Sequence, residues 1–144
     1  MKFKLIIDAD REEEIIVYAH SRSEKVQAIE ALAQEGAGEL VGYRDKEIIP
    51  LQPDQVCCFV IEGERVYALL PKERLLVKSR LYQLEQQLPS YYIKINQSCL
   101  ANRHKILRFD ASYGGSLRVH FEGGHIDYVS RRQLKVVKER FGIK

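Results

Sequence analysis

The residues in this chain able to do chemistry are few, and their spacing argues first against several chemistries. Four histidines and three cysteines are present. His20, His104, His120, His125, Cys57, Cys58 and Cys99 show none of the paired short spacing of a structural zinc site, so no metal is expected. His125, Asp127 and Ser130 are close in sequence, but neighbours along one strand do not make the relay of a nucleophilic triad. The acidic run Glu12-Glu13-Glu14 reads as a solvated turn rather than an acid/base pair. Gly114-Gly115 and Gly123-Gly124 open no helix with a phosphate-binding lysine pattern, so they read as hairpin glycines. No cofactor, small-molecule substrate or enzymatic activity is implied. What remains is a basic, amide-bearing set: Lys94, Gln97, Asn102, Arg103, His104 and Lys105 around one loop, and Arg131, Arg132 and Lys135 near the C-terminus. Arginine, lysine and the amides carry the donors that match phosphates and base edges.

Charge follows the same division. Residues 1–90 hold twelve Lys/Arg against sixteen Asp/Glu, a net −4, whereas residues 91–144 hold eleven against four, a net +7. Such asymmetry points to a polyanionic partner for the C-terminal third. At 144 residues the chain has the length of one ordinary soluble domain. No apolar run approaches a membrane span, and the beginning turns acidic where a signal peptide would stay apolar, so a cytoplasmic protein is expected. The cysteines, odd in number and without framework spacing, read as small core residues.

Hydrophobic periodicity supplies the elements that must position these groups. Residues 3–7 and 15–18 read as two short strands around a polar turn. A helix follows, with Ser21 and Glu24 as a capping box, Val26, Ile29, Leu32 and Ala33 as its apolar face, and Gly36 at its end. This is a β-β-α unit over residues 1–39. From Leu40 the pattern changes to β runs at 40–43, 47–51, 56–61, 65–70 and 74–77, with Glu62-Gly63-Glu64 as a tight hairpin turn. A helix over 78–88, capped by Ser79 and closed by Pro89, precedes renewed strand character at Tyr91, then at 106–109, 117–121 and 126–129. His120 and His125 flank a glycine turn and are placed to face one another. The last helix spans 130–141 with Ser130 and Gln133 at capping-box spacing. Its first turn holds Arg131 and Arg132, which oppose the helix dipole unless an anion sits there or a carboxylate such as Asp127 pairs with one of them.

The segment Tyr91-Tyr92-Ile93-Lys94-Ile95-Asn96-Gln97-Ser98-Cys99-Leu100-Ala101-Asn102-Arg103-His104-Lys105-Ile106 resembles the central signature of the LytTR DNA-binding family. Tyr128-Val129-Ser130-Arg131-Arg132-Gln133-Leu134-Lys135 is similar to its second signature, Ser-Arg-Arg before a short apolar helix. The resemblance covers roughly residues 40–144 and implies a mainly β (α+β), elongated antiparallel LytTR-type fold with short helices that presents loops to successive major grooves of double-stranded DNA. It implies a transcriptional regulator that acts as a homodimer on paired imperfect repeats. Carried over by position, Gln97, Arg132 and Arg65 correspond to base contacts, and Lys94, Arg103, His104, Lys105, Arg131 and Lys135 are assigned to phosphates. Asn96 stands where the family often has histidine or serine. Asn102 reads as structural, turning the chain through side-chain to backbone bonds.

The ~40 residues before Leu40 are too few for a receiver domain. The chain therefore resembles the short stand-alone branch, whose members are often restrained by a membrane-bound inhibitory protein. The small N-terminal unit, which cannot bury its own apolar face, is expected to dimerise or to receive that partner. An interaction module that binds protein or RNA on the same β scaffold is the competing reading, and salt-dependent duplex binding separates the two.

Overall fold

In a computed structural model the protein is described over residues 1–12, 14–34, 40–111 and 115–143. It divides into two units, Met1–Gly36 and Ala37–Lys144.

In the first unit, helix α1 spans Glu24–Gln34. Its cap is Ser23 rather than the expected Ser21: the Ser23 hydroxyl accepts from the Val26 backbone N–H at 3.3 Å, the N-cap to N3 bond. Gly36, the expected stop, lies outside the described residues. The polar turn forms, with the Asp10 N–H donating to the Asp8 carboxylate at 3.0 Å. The two expected strands do not: among the described residues, 3–7 and 15–18 enter no ladder. Two arms of four or five residues give a hairpin that is marginal by itself, and among the described residues no strand extends it.

The second unit has ten antiparallel strands among its described residues, as the expected fold class requires. The seven-stranded sheet has the order β2-β1-β5-β4-β3-β7-β6, where β1 is Val41–Arg44, β2 Glu47–Pro50, β3 Cys58–Glu62, β4 Arg65–Leu69, β5 Arg74–Val77, β6 Tyr92–Asn96 and β7 Cys99–Asn102. A three-stranded sheet holds β8 (Ile106–Ala111), β9 (Leu117–Phe121) and β10 (Ile126–Val129). Helix α2 is Leu81–Gln87 and α3 is Arg131–Phe141. The expected turn at Tyr113-Gly114 falls outside the described residues.

Alternation along the central strands sends side chains to two faces, and each face has its own cover. Phe59, Val66, Ala68, Leu75, Val77, Tyr92 and Leu100 pack with Leu81, Leu84 and Leu88 of the α2 region. Cys58, Val60, Ile93, Cys99 and Ala101 pack with Val119, Phe121 and Val129 of the small sheet and Val137 of α3. The cysteines are thus core residues, all free and buried. Burial, above all, pushes the Cys57 thiol up to about 11.

Two caps differ from expectation. The residue before α2 is Arg80, not Ser79, and its N–H donates to the Gln83 side chain at 2.9 Å. At α3, Ser130 is the N-cap residue but its hydroxyl makes no capping bond. The Ser130 N–H instead donates to the Ile95 carbonyl at 2.8 Å, tying the helix to β6.

Candidate nucleic-acid interface

Register places the sequence-predicted readers at one end of the seven-stranded sheet. The β3–β4 hairpin turns through Gly63 (φ 54°) and Glu64 (φ 69°), the two positive φ values of a type I′ turn, and pairs Glu62 with Arg65. Arg65 therefore emerges, exposed, at the hairpin tip. One strand over, the Ile61 N–H donates to the Ser98 carbonyl at 2.9 Å. This fixes the β6–β7 turn, on which Gln97 is exposed, beside that hairpin.

The start of α3 is brought to the same place by Asn96, which is only 2% exposed. Its amide nitrogen donates to the Asp127 carboxylate at 2.8 Å and to the Tyr128 carbonyl at 2.7 Å. Its amide oxygen accepts from the Ser98 N–H at 2.8 Å. One side chain thus holds the Gln97 turn on one side and the β10–α3 junction on the other. A register shift between Lys94 and Asn96 marks a bulge in β6, and the Ile95 carbonyl within it is the acceptor for Ser130. Bulges on edge strands re-aim the residues that follow them.

Arg131 and Arg132 are exposed in the first turn of α3, which contains no acidic residue. Neither forms an ion pair among the described residues. The expected alternative partner, Asp127, is occupied by His125 at 3.1 Å, by Asn96 and by the Tyr128 N–H. Burial alone would raise the Asp127 pKa, but the bonds from His125, Tyr128 and Asn96 outweigh it and hold the carboxyl below its ordinary value. The first turn is therefore doubly cationic and uncompensated, as an anion-binding surface requires. Lys135 lies one turn further on the same exposed face.

The loop set separates. Lys94 and Gln97 lie on β6 and its turn, but β7 runs back through the sheet and delivers Arg103, His104 and Lys105 to the opposite end. Four residues of strand put roughly 13 Å between the groups. Each of the three also has a partner. His104 stacks on Tyr91 with ring centroids 4.4 Å apart, the Arg103 guanidinium sits 5.6 Å from the Phe141 ring, and Lys105 pairs with Glu122 at 3.2 Å. Asn102 is structural, as expected: fully buried, it donates to the Val56 carbonyl at 2.8 Å and accepts from the His104 N–H at 2.9 Å. The two glycine-turn histidines do not pair with each other; His120 bonds Asp110, and His125 bonds Asp127.

Two cations escaped the sequence reading. Arg65, Lys78 and Arg80 line one open groove of about 650 Å³ together with Glu64 and Ile61. The pairing of Val66 with Val77 puts the end of β5 beside the start of β4. A strand register spanning eleven residues would have revealed Lys78 and Arg80, but nothing local does.

One end of an antiparallel sheet thus gathers an amide-bearing turn, an arginine-tipped hairpin and a cationic helix start, the donor types that match phosphates and base edges. The profile of the LytTr DNA-binding domain matches residues 46–142. The chain belongs to the LytTr DNA-binding domain family. Uncharacterized HTH-type transcriptional regulators of Staphylococcus aureus, in strains NCTC 8325 and COL, are 34% identical over 146 residues and match 99% of both chains. The match therefore includes the first unit, which lies outside the family profile. A solved LytTr DNA-binding domain from Bacillus cereus superposes with a TM-score of 0.68 at 16% identity, covering 73% of this chain and 98% of that one. Despite the designation of the staphylococcal relatives, no helix-turn-helix occurs among the described residues here: α2 and α3 are separated by five strands.

Proposed function

We propose that this chain is a sequence-specific double-stranded DNA-binding transcriptional regulator of the cytoplasm, acting as a homodimer on paired imperfect repeats. The observation that carries this reading is the Asn96 bridge, which joins the Gln97 turn to the Arg131–Arg132 helix start. In this reading Gln97 reads adenine through its amide, Arg132 reads guanine, and Arg65 reaches a third base from the neighbouring hairpin. Arg131, Lys135 and Lys94 take phosphates. Arg103 and His104, exposed at the other end of the sheet, take a flanking phosphate on the same duplex, with Lys105, paired to Glu122 in the free chain, beside them.

The supporting physics is the uncompensated positive first turn together with the +7 balance of residues 91–144. A regulator of this kind binds duplex with a steep salt dependence, because each neutralised phosphate releases counterions. The test is binding to fragments of its own upstream region against random duplex competitor at two salt concentrations. A footprint over two spaced repeats that survives competitor is expected. Binding to protein or single-stranded RNA with no salt-dependent duplex binding would replace this reading with an interaction module.

A further inference from the structure

Two cations just beyond the end of β5 continue the positive sheet end past the Arg65 hairpin. Lys78 and Arg80 are exposed, and with Arg65 they line an open groove of about 650 Å³ whose one carboxylate is Glu64. Three positive charges there face one negative. Among the described residues none of the three cations forms an ion pair, whereas Arg44 and Arg74 of the neighbouring strands are each paired with glutamate. Lys78 is held in place rather than neutralised: its Nζ lies 4.4 Å from the centre of the Tyr43 ring, a contact that leaves the ammonium its full charge. Between the two cations, the half-buried Ser79 hydroxyl has no hydrogen-bond partner among the described residues.

Strand register sets where these groups stand. Val66 pairs with Val77, so Lys78 follows the last paired residue of β5 beside the first residues of β4. At the usual ~4.8 Å between strands, the end of β5 lies one and a half strand spacings, about 7 Å, from the middle of the β3–β4 hairpin. The major groove of B-DNA is about 12 Å wide, so about 6 Å separates its middle from either wall. With the hairpin tip over the base edges, Lys78 and Arg80 fall on the sugar-phosphate wall beside it. We propose that Lys78 and Arg80 form a seat for the phosphate backbone at the wall of the groove that Arg65 enters. The ammonium and the guanidinium fork both suit phosphate oxygens, and the Ser79 hydroxyl adds a neutral donor. Glu64, on the hairpin, repels the same backbone and limits the affinity. The inference rests on the duplex-binding reading and extends its footprint by one strand, on the side of the hairpin away from β6 and α3.

The test is anisotropy titration of full-chain variants with a duplex from the upstream region and with a random duplex, at several salt concentrations. Each neutralised phosphate contributes about 0.9 to the slope of log affinity against log salt, which is about fivefold in affinity at ~0.15 M. Lys78→Ala and Arg80→Ala are each expected to bind both duplexes about fivefold more weakly at that salt. The double variant loses about thirtyfold, with the slope lowered by about 1.8. Arg80→Lys, which keeps the charge, stays within about twofold of wild type, and Glu64→Gln binds both duplexes about twofold more tightly. The bond from the Arg80 N–H to Gln83 is made by the backbone and survives each substitution, so the urea unfolding midpoint stays at the wild-type value. A double variant that keeps the wild-type salt slope overturns the inference, and so does a Glu64→Gln variant that binds no more tightly. Losses confined to one of the two duplexes make the cations base readers and overturn the phosphate seat. A wild type without salt-dependent duplex binding removes the DNA reading and the seat with it, whereas a steep slope shared by wild type and double variant removes the seat alone.

Discussion

Replacing Asn96 separates positioning from contact, because this side chain is buried and touches no partner outside the chain. Asn96→Ala removes the bond to the Asp127 carboxylate and the bonds to the Tyr128 carbonyl and Ser98 N–H. A bond to a charged group contributes roughly 1.5–3 kcal/mol and a neutral one about 1 kcal/mol, with the first discounted because Asp127 is partly solvated. The expected loss of stability is about 3 kcal/mol in urea unfolding at pH 7. Asn96→Asp is worse at that pH, since its oxygens face a carboxylate and a carbonyl, and it recovers as the pair takes up a proton on acidification. In anisotropy titrations at a temperature where the variant is folded, Asn96→Ala should weaken specific duplex by about 1–3 kcal/mol. Random duplex should bind nearly as before, with the same salt slope. A stability loss under about 1 kcal/mol, or equal losses on specific and random duplex, would refute the bridge.

Other outcomes follow from the same geometry. Arg132→Ala is expected to cost ~1–3 kcal/mol at one base pair and relax preference there, while Lys135→Ala weakens all sequences alike and lowers the salt slope by about 1; substitution scans across the operator distinguish them. Gly123→Ala should destabilise the second unit by roughly 1–3 kcal/mol in thermal unfolding, because a Cβ at φ 86° would meet the Pro71 carbonyl oxygen at 2.6 Å. Asp127 has a depressed pKa, so its contribution is complete above the ordinary carboxylate range and is lost as pH falls through the lower folded value. Asp127→Asn should therefore flatten the acid limb of the stability profile below about pH 4. The three cysteines should resist a thiol reagent at pH 8 in the folded protein and all react in denaturant, since each is buried.

The second unit was legible because its strands alternate cleanly, from Phe59 and Val60 on opposite faces of β3 to the hairpin at Gly63, where turn chemistry is local. Helix starts were read less well. Ser21 and Ser79 have the right side chains, but Ser23 and Arg80 hold the right backbone positions, and several polar residues near a helix start look alike in sequence. The basic set shows the larger difficulty. Gln97 and Arg103 are six residues apart, and proximity in sequence suggested one loop, yet a hairpin return along β7 carries them to opposite ends of the sheet. Conversely, Arg65, Lys78 and Arg80 meet only through strand register. In sequence Asn96 is a departure from a family pattern, and its partners, 31 and 32 residues away, give it its role. The N-terminal arms carry strand signals, yet residues 3–7 and 15–18 enter no ladder among the described residues, because alternation alone does not supply a partner strand.

Base reading by Gln97 and Arg132 is tested by selection of bound duplexes from a random library with the wild type, Gln97→Ala and Arg132→Ala. The wild type should enrich a motif of two spaced repeats. Gln97→Ala should lose preference at an adenine and Arg132→Ala at a guanine, each leaving the remaining positions in place. No enrichment by the wild type over non-specific binding, or an identical motif from all three proteins, would contradict it.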